Sequence, residues 1–104
     1  MEETLQEDEM KPGYYKHVDG GIYFLIMIAN DAATDNEVAV YEHIWPFFRG
    51  SYVRSRTEFE NRFTKVEDDE AMTFMAMSFE ETAYARDMIQ LSKKRRRARE
   101  AKQG

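Results

Sequence analysis

The sequence predicts a mainly β domain followed by one C-terminal α-helix. Three observations carry this. Between Tyr14 and Tyr41 (YYKHVDGGIYFLIMIANDAATDNEVAVY) apolar runs of strand length alternate with turn-rich segments. Asp19-Gly20-Gly21 and the Asn30–Asn36 stretch supply residues that tolerate the left-handed backbone of tight turns. After Ser78 the pattern changes to helical spacing. The expectation is that short antiparallel strands fold back on one another into a closed sheet and that the helix packs beside it.

Taken in order, residues 1–11 (MEETLQEDEMK) hold five carboxylates and read as a flexible acidic arm. Pro12-Gly13 marks entry to the domain. Strands are expected near 14–17, 22–29, 37–44, 51–55 and 72–77. The 22–29 run is apolar at both parities, with Phe24, Ile26 and Ile28 on one side and Tyr23, Leu25 and Met27 on the other. That is the pattern of a central strand covered on both faces. Pro46 cannot donate to a ladder and ends the third strand. Thr57 to Phe63 suits a short helical turn, with Thr57 as its cap and Phe59 and Phe63 four apart on one side. Glu67 to Glu70 reads as a solvated acidic loop, and Met72 to Met77 as the last strand. Ser78 and Glu81 form a capping box, so a helix is expected over 79–97. Tyr84, Met88 and Leu91 make a stripe on that helix, acids load its first half and bases its last turns. The organisation is therefore an arm (1–11), a small β-barrel domain (12–78) and a helix with a basic tail (79–104).

At 104 residues one domain fits, with 42% hydrophobic and 13% aromatic residues to build its core. No cysteine is present, which removes disulfides and thiolate chemistry together. No apolar run reaches membrane-span length, so no membrane association and a cytoplasmic setting are expected. The net charge of −5 conceals a split. Residues 93–102 (KKRRRAREAK) hold seven of the 15 basic residues and one of the 20 acidic ones. Residues 1–92 thus carry eight basic and 19 acidic side chains, a net of −11. Such a body repels nucleic acid at long range, while the tail attracts anions or the acidic body of another copy.

No catalytic signature emerges. His17 and His43 are the only histidines, and a metal site would need them together with carboxylates such as Asp19 or Glu42. Ser51, Ser55 and Thr57 lie in no nucleophile-elbow motif, and Gly20-Gly21 precedes a strand rather than a helix N-terminus. The expectation is a protein that is not an enzyme and that has no cofactor or metal. Two segments offer binding chemistry. Trp45, Phe47 and Phe48 surround Pro46, so alternation cannot bury all three, and Arg49, Tyr52 and Arg54 follow with charge and ring surface. Lys93, Lys94, Arg95, Arg96 and Arg97 form the basic tail.

Pro12-Gly13-x-Tyr15-x-His17-x-x-Gly20-x-x-Tyr23, then Ala29, Thr34, Glu37, Val38, Val40 and Tyr41, then Tyr52-Val53-Arg54 and Phe59, resembles the small bacterial and phage domain-of-unknown-function family 1653. The likeness covers residues 12–64. Ser55 stands where that family has proline after Val-Arg, and its closing Pro-Arg-Phe is missing. The resemblance implies an SH3-like barrel and no particular reaction. It implies that a shared function would use Tyr15, His17, Tyr41 and Arg54, and it suggests a phage or bacterial accessory protein that modulates a host factor. The first functional expectation is a non-enzymatic module that recognises a partner protein through the aromatic loop and the C-terminal helix. The alternative is a nucleotide or nucleic-acid binder that stacks bases on Tyr15, Trp45 and Phe47, with Arg49, Arg54, Arg56 and the basic tail on phosphate. Self-association through the helix is a further expectation.

Overall fold

The computed structural model describes residues 10–47 and 50–103, the last two by backbone alone. The expected arm falls almost wholly outside the described residues, as do Phe48 and Arg49. The elements are β1 (Gly13–His17), β2 (Ile22–Asn30), β3 (Glu37–Trp45), β4 (Gly50–Ser55), α1 (Arg56–Arg62), β5 (Phe63–Lys65), α2 (Asp68–Met75) and α3 (Phe79–Gln103). The five strands form one antiparallel sheet in the order β4-β3-β2-β1-β5.

The expected barrel is not formed. β4 and β5 are the two edges of an open sheet, and no pairing joins them. The strand expected over 72–77 is the cause of the error. That segment belongs to α2 and the turn after it, so it cannot close the sheet. The acidic run taken as a loop is the first turn of this helix, where Asp68, Asp69 and Glu70 meet the positive end of the dipole. Ala71, Phe74 and Met75, at helical spacing, then turn toward the sheet. β5 is instead the three residues after α1, paired with β1 through His17 opposite Phe63 and Tyr15 opposite Lys65.

Local chemistry sets the boundaries. Gly20 (φ +107°) and Gly21 (φ +98°) make the β1–β2 turn, with the Gly20 amide donating to the His17 carbonyl at 2.8 Å. Ser55, not Thr57, caps α1 by accepting from the Glu58 amide. The capping box of α3 forms as expected, Glu81 N–H to Ser78 Oγ and Ser78 N–H to Glu81 Oε1, each 3.0 Å. The helix runs six residues past the expected end, to Gln103. Arg96 and Arg62 both pair with Glu100 there.

Two clusters make the core. On one face of the sheet Tyr15, Tyr23, Leu25, Ala39, Tyr41 and Phe63 gather under Phe59 of α1, whose ring stacks on Phe63 at 4.1 Å. On the other, Ile22, Trp45 and Val66 pack against Ala71 of α2, with Phe74 and Met75 partly buried beside them. β2 is covered on both faces only in its first half. A register shift between Leu25 and Met27 breaks the pattern, and Ile26 and Met27 are exposed.

Candidate functional site

Alternation along five strands places a row of polar rings on the α1 face. His17 lies on β1, Tyr23 on β2, Tyr41 and His43 on β3, Tyr52 and Arg54 on β4, and Phe63 on β5. Register completes the row, because Tyr23 pairs with His43, and Tyr41 pairs with Tyr52. Tyr23 stacks on His43 with centroids 4.2 Å apart, and His17 meets Phe63 edge to face at 4.7 Å.

α3 roofs one end of this row, and four contacts fix its course. Trp45 Nε1 donates to Thr82 Oγ1 at 3.2 Å, and Arg86 Nε donates to the Pro46 carbonyl at 2.6 Å. Ile89, buried, sits against Gly20 so closely that a Cβ there would lie 2.9 Å from its Cγ1. Asp19, at the tip of the β1–β2 turn, then accepts from Ser92 Oγ at 2.9 Å and from Arg96 Nε and Nη2 at 3.0 and 2.9 Å. The last half of α3 is thereby drawn across the aromatic row.

The result is a pocket of about 180 Å³ lined by His17, Tyr23, Tyr41, His43, Tyr52 and Arg54 from the sheet, and by Lys93, Arg96 and Arg97 from α3. A wider groove of about 580 Å³ adjoins it, shares His43, Tyr52, Lys93 and Arg97, and adds Phe47, Gln90 and Lys94. Arg54 donates to the Tyr41 hydroxyl at 3.3 Å and pairs with Glu58; Arg96 pairs with Asp19 and Glu100. Lys93 and Arg97 make no ion pair among the described residues; the Lys93 ammonium stands 5.8 Å from the Phe47 ring centre. The walls are therefore strongly positive inside an acidic protein.

Burial sets the state of the rings. His17 and His43 are each 5% exposed, and desolvation lowers both to a pKa of about 4, so both are neutral at pH 7. His17 Nδ1 accepts from the Asp19 amide at 2.9 Å, which puts its hydrogen on Nε2. His43 Nε2 lies 3.2 Å from the Trp45 carbonyl, to which it donates. Burial raises the Tyr23 phenol to about 12, so it remains a hydrogen-bond donor. Burial, with Arg97, Arg96 and Arg54 nearby, lowers Lys93, and Asp19 partly offsets this. A bound anion would relieve that strain on the ammonium.

Of the residues picked from sequence, His17, Tyr41, Tyr52, Arg54, Lys93, Arg96 and Arg97 meet in this pocket. Tyr15 does not. Its ring lies in the core and its hydroxyl donates to the Lys11 carbonyl. Trp45, one of the three loop rings of which the sequence left open which would be exposed, is 8% exposed and packs beneath α2 and α3. Phe47 is half-buried beside His43. Lys94 and Arg95 are exposed, Lys94 on the groove. Tyr23 and Phe63 were missed as site residues, and Asp19 and His43 entered only as candidates for a metal site. The i, i+2 spacing of His17 with Asp19 and of Tyr41 with His43 was an available signal, but the register that brings Tyr23 and Phe63 beside them was not.

Among the described residues no group of three or more His, Asp or Glu could hold a metal ion, and no helix is long and apolar enough to cross a membrane. No family model, curated protein or solved structure matches the chain.

Proposed function

We propose that the protein is a non-enzymatic binding module for a small phosphate-bearing ligand of the nucleotide class. One observation carries this reading: Lys93 and Arg97, both without an ion-pair partner among the described residues, converge with Arg54 and Arg96 on a floor of neutral rings. Multiple cations at one enclosed spot suit a phosphoryl group, which accepts several charge-assisted hydrogen bonds. The inner pocket has the volume for that group, and the adjoining groove offers Phe47 and Tyr52 to a planar base and the Gln90 amide to its polar edge. The enclosure favours a terminal phosphate over a continuous nucleic-acid backbone.

A partner protein recognised through an exposed aromatic corner is the weaker reading, because Trp45 lies inside. A bacterial or phage accessory role fits a module that sequesters a small anionic signal. The test is native mass spectrometry of the purified protein, followed by thermal melts with inorganic phosphate, mononucleotides and a short single-stranded oligonucleotide. At a hundredfold excess over Kd, binding to the folded state adds about 2.7 kcal/mol, or roughly 10–20 °C of melting temperature for a domain of this size. Lys93→Glu with Arg97→Glu should abolish the shift. No copurified ligand and no shift with any nucleotide would overturn the reading; a shift with the oligonucleotide alone would move it to nucleic acid.

A further inference from the structure

We infer that α3 is also a dimerisation element, pairing antiparallel with α3 of a second copy. The evidence lies on the side of the helix that faces away from the pocket. Ile89 and Arg96 point inward, whereas Tyr84, Met88 and Leu91 are 67%, 44% and 38% exposed. These three recur at spacings of four and three residues, the a/d pattern of a two-helix seam. Arg95 and Ala98 extend the same line. Beside it lies a mainly apolar depression of about 510 Å³, lined by Trp45, Phe74, Met77, Tyr84, Ala85 and Met88 together with the two carboxylates Glu80 and Glu81. An apolar stripe continuous with an apolar hollow is not the usual solvated face of a monomer.

Charge selects the occupant. The first half of α3 carries Glu80, Glu81 and Asp87 against Arg86, and the second half carries seven bases against Glu100. A parallel mate would set base on base. An acidic protein would be repelled by the first half, and a nucleic acid likewise. An antiparallel copy satisfies both halves at once, and it does so identically on each chain, as a two-fold interface requires. Setting Met88 beside the partner's Leu91 brings Tyr84 against the partner's Arg95, a cation–π contact, and lays Glu80 and Glu81 along the partner's Lys94 to Arg99 stretch. The helix is 25 residues, so the seam can extend over about 37 Å. Lys93 and Arg97 stay on the pocket side, and the dimer therefore does not rest on the ligand proposed above.

Sedimentation velocity of the full chain, from micromolar to near-millimolar protein, tests this. The expected result is a species of twice the 12.3 kDa chain mass that weakens as salt rises. Met88→Asp with Leu91→Asp should raise the dimer dissociation constant at least about tenfold while leaving the far-ultraviolet spectrum unchanged, because both side chains are surface-borne. A charge exchange gives an independent readout. In this register Glu80 lies opposite the partner's Arg99, both exposed; Glu80→Lys sets base against base there, and Arg99→Glu sets acid against acid. Each variant alone should be monomeric, and their mixture should form a heterodimer. Wild-type protein that stays at the single-chain mass throughout, a dimer indifferent to the 88/91 double variant, or a mixture that fails to pair would overturn the inference.

Discussion

Acidification from pH 7 to pH 5 should cost this domain a large part of its stability, through two imidazoles. In the unfolded chain His17 and His43 take up protons near pH 6.5; in the fold they do so only near pH 4. Between those values the unfolded state binds more protons, so stability falls as pH falls. At pH 5 each histidine is about 1.5 units below its unfolded pKa and still neutral in the fold, which at 1.36 kcal/mol per unit is about 2 kcal/mol each, or about 4 kcal/mol together. A domain of this length has roughly 5–15 kcal/mol in total. The surroundings explain why the protons are refused. His17 faces Asp19 but also Lys93, Arg96 and Arg54, and protonating its Nδ1 breaks the bond from the Asp19 amide. His43 faces Lys93 and stacks on Tyr23. Asp19 itself is held below its usual value, so its contribution is lost only at still lower pH. Urea denaturation followed by Trp45 fluorescence at pH 7, 6 and 5 measures the effect, with His17→Gln/His43→Gln as the control that should flatten the slope. Equal unfolding free energies at pH 7 and pH 5, or imidazole resonances that titrate near 6.5 in the folded protein, would refute the reasoning. A bound anion in the pocket should shift the acid transition, because it favours the protonated rings.

Two further outcomes follow from the packing. Gly20→Val should detach the last half of α3, since φ is +107° and a Cβ would strike Ile89; limited proteolysis should then cut near residues 92–97, and the pocket's affinity for phosphate should fall with the sheet intact. Phe59→Ala should lower stability by about 3–5 kcal/mol in denaturant titration, because the ring is wholly buried and stacks on Phe63.

The sequence by itself determined the strands from Gly13 to Ser55, the turn at Gly20-Gly21 and the capping box of α3. Each depends on residues near one another in the chain: period-two apolarity, positive-φ glycines, and a serine three residues before a glutamate. Met72 to Met77 misled because a short apolar run with imperfect alternation suits a strand as well as a helix. Acids at its start and Ala71, Phe74 and Met75 against the sheet decided for helix, and with it went the barrel. The pocket was legible only in pieces. His17, Tyr41 and Arg54 were visible as one set and Lys93 to Arg97 as another, with nothing local to connect them. Tertiary structure joined them through Asp19, which lies 73 residues from Ser92 and 77 from Arg96 and holds both. It also placed Trp45 inside and left Tyr84, Met88 and Leu91 outside, because which side of α3 meets the sheet is set by contacts between residues far apart in the chain, Thr82 with Trp45, Arg86 with Pro46 and Ile89 with Gly20.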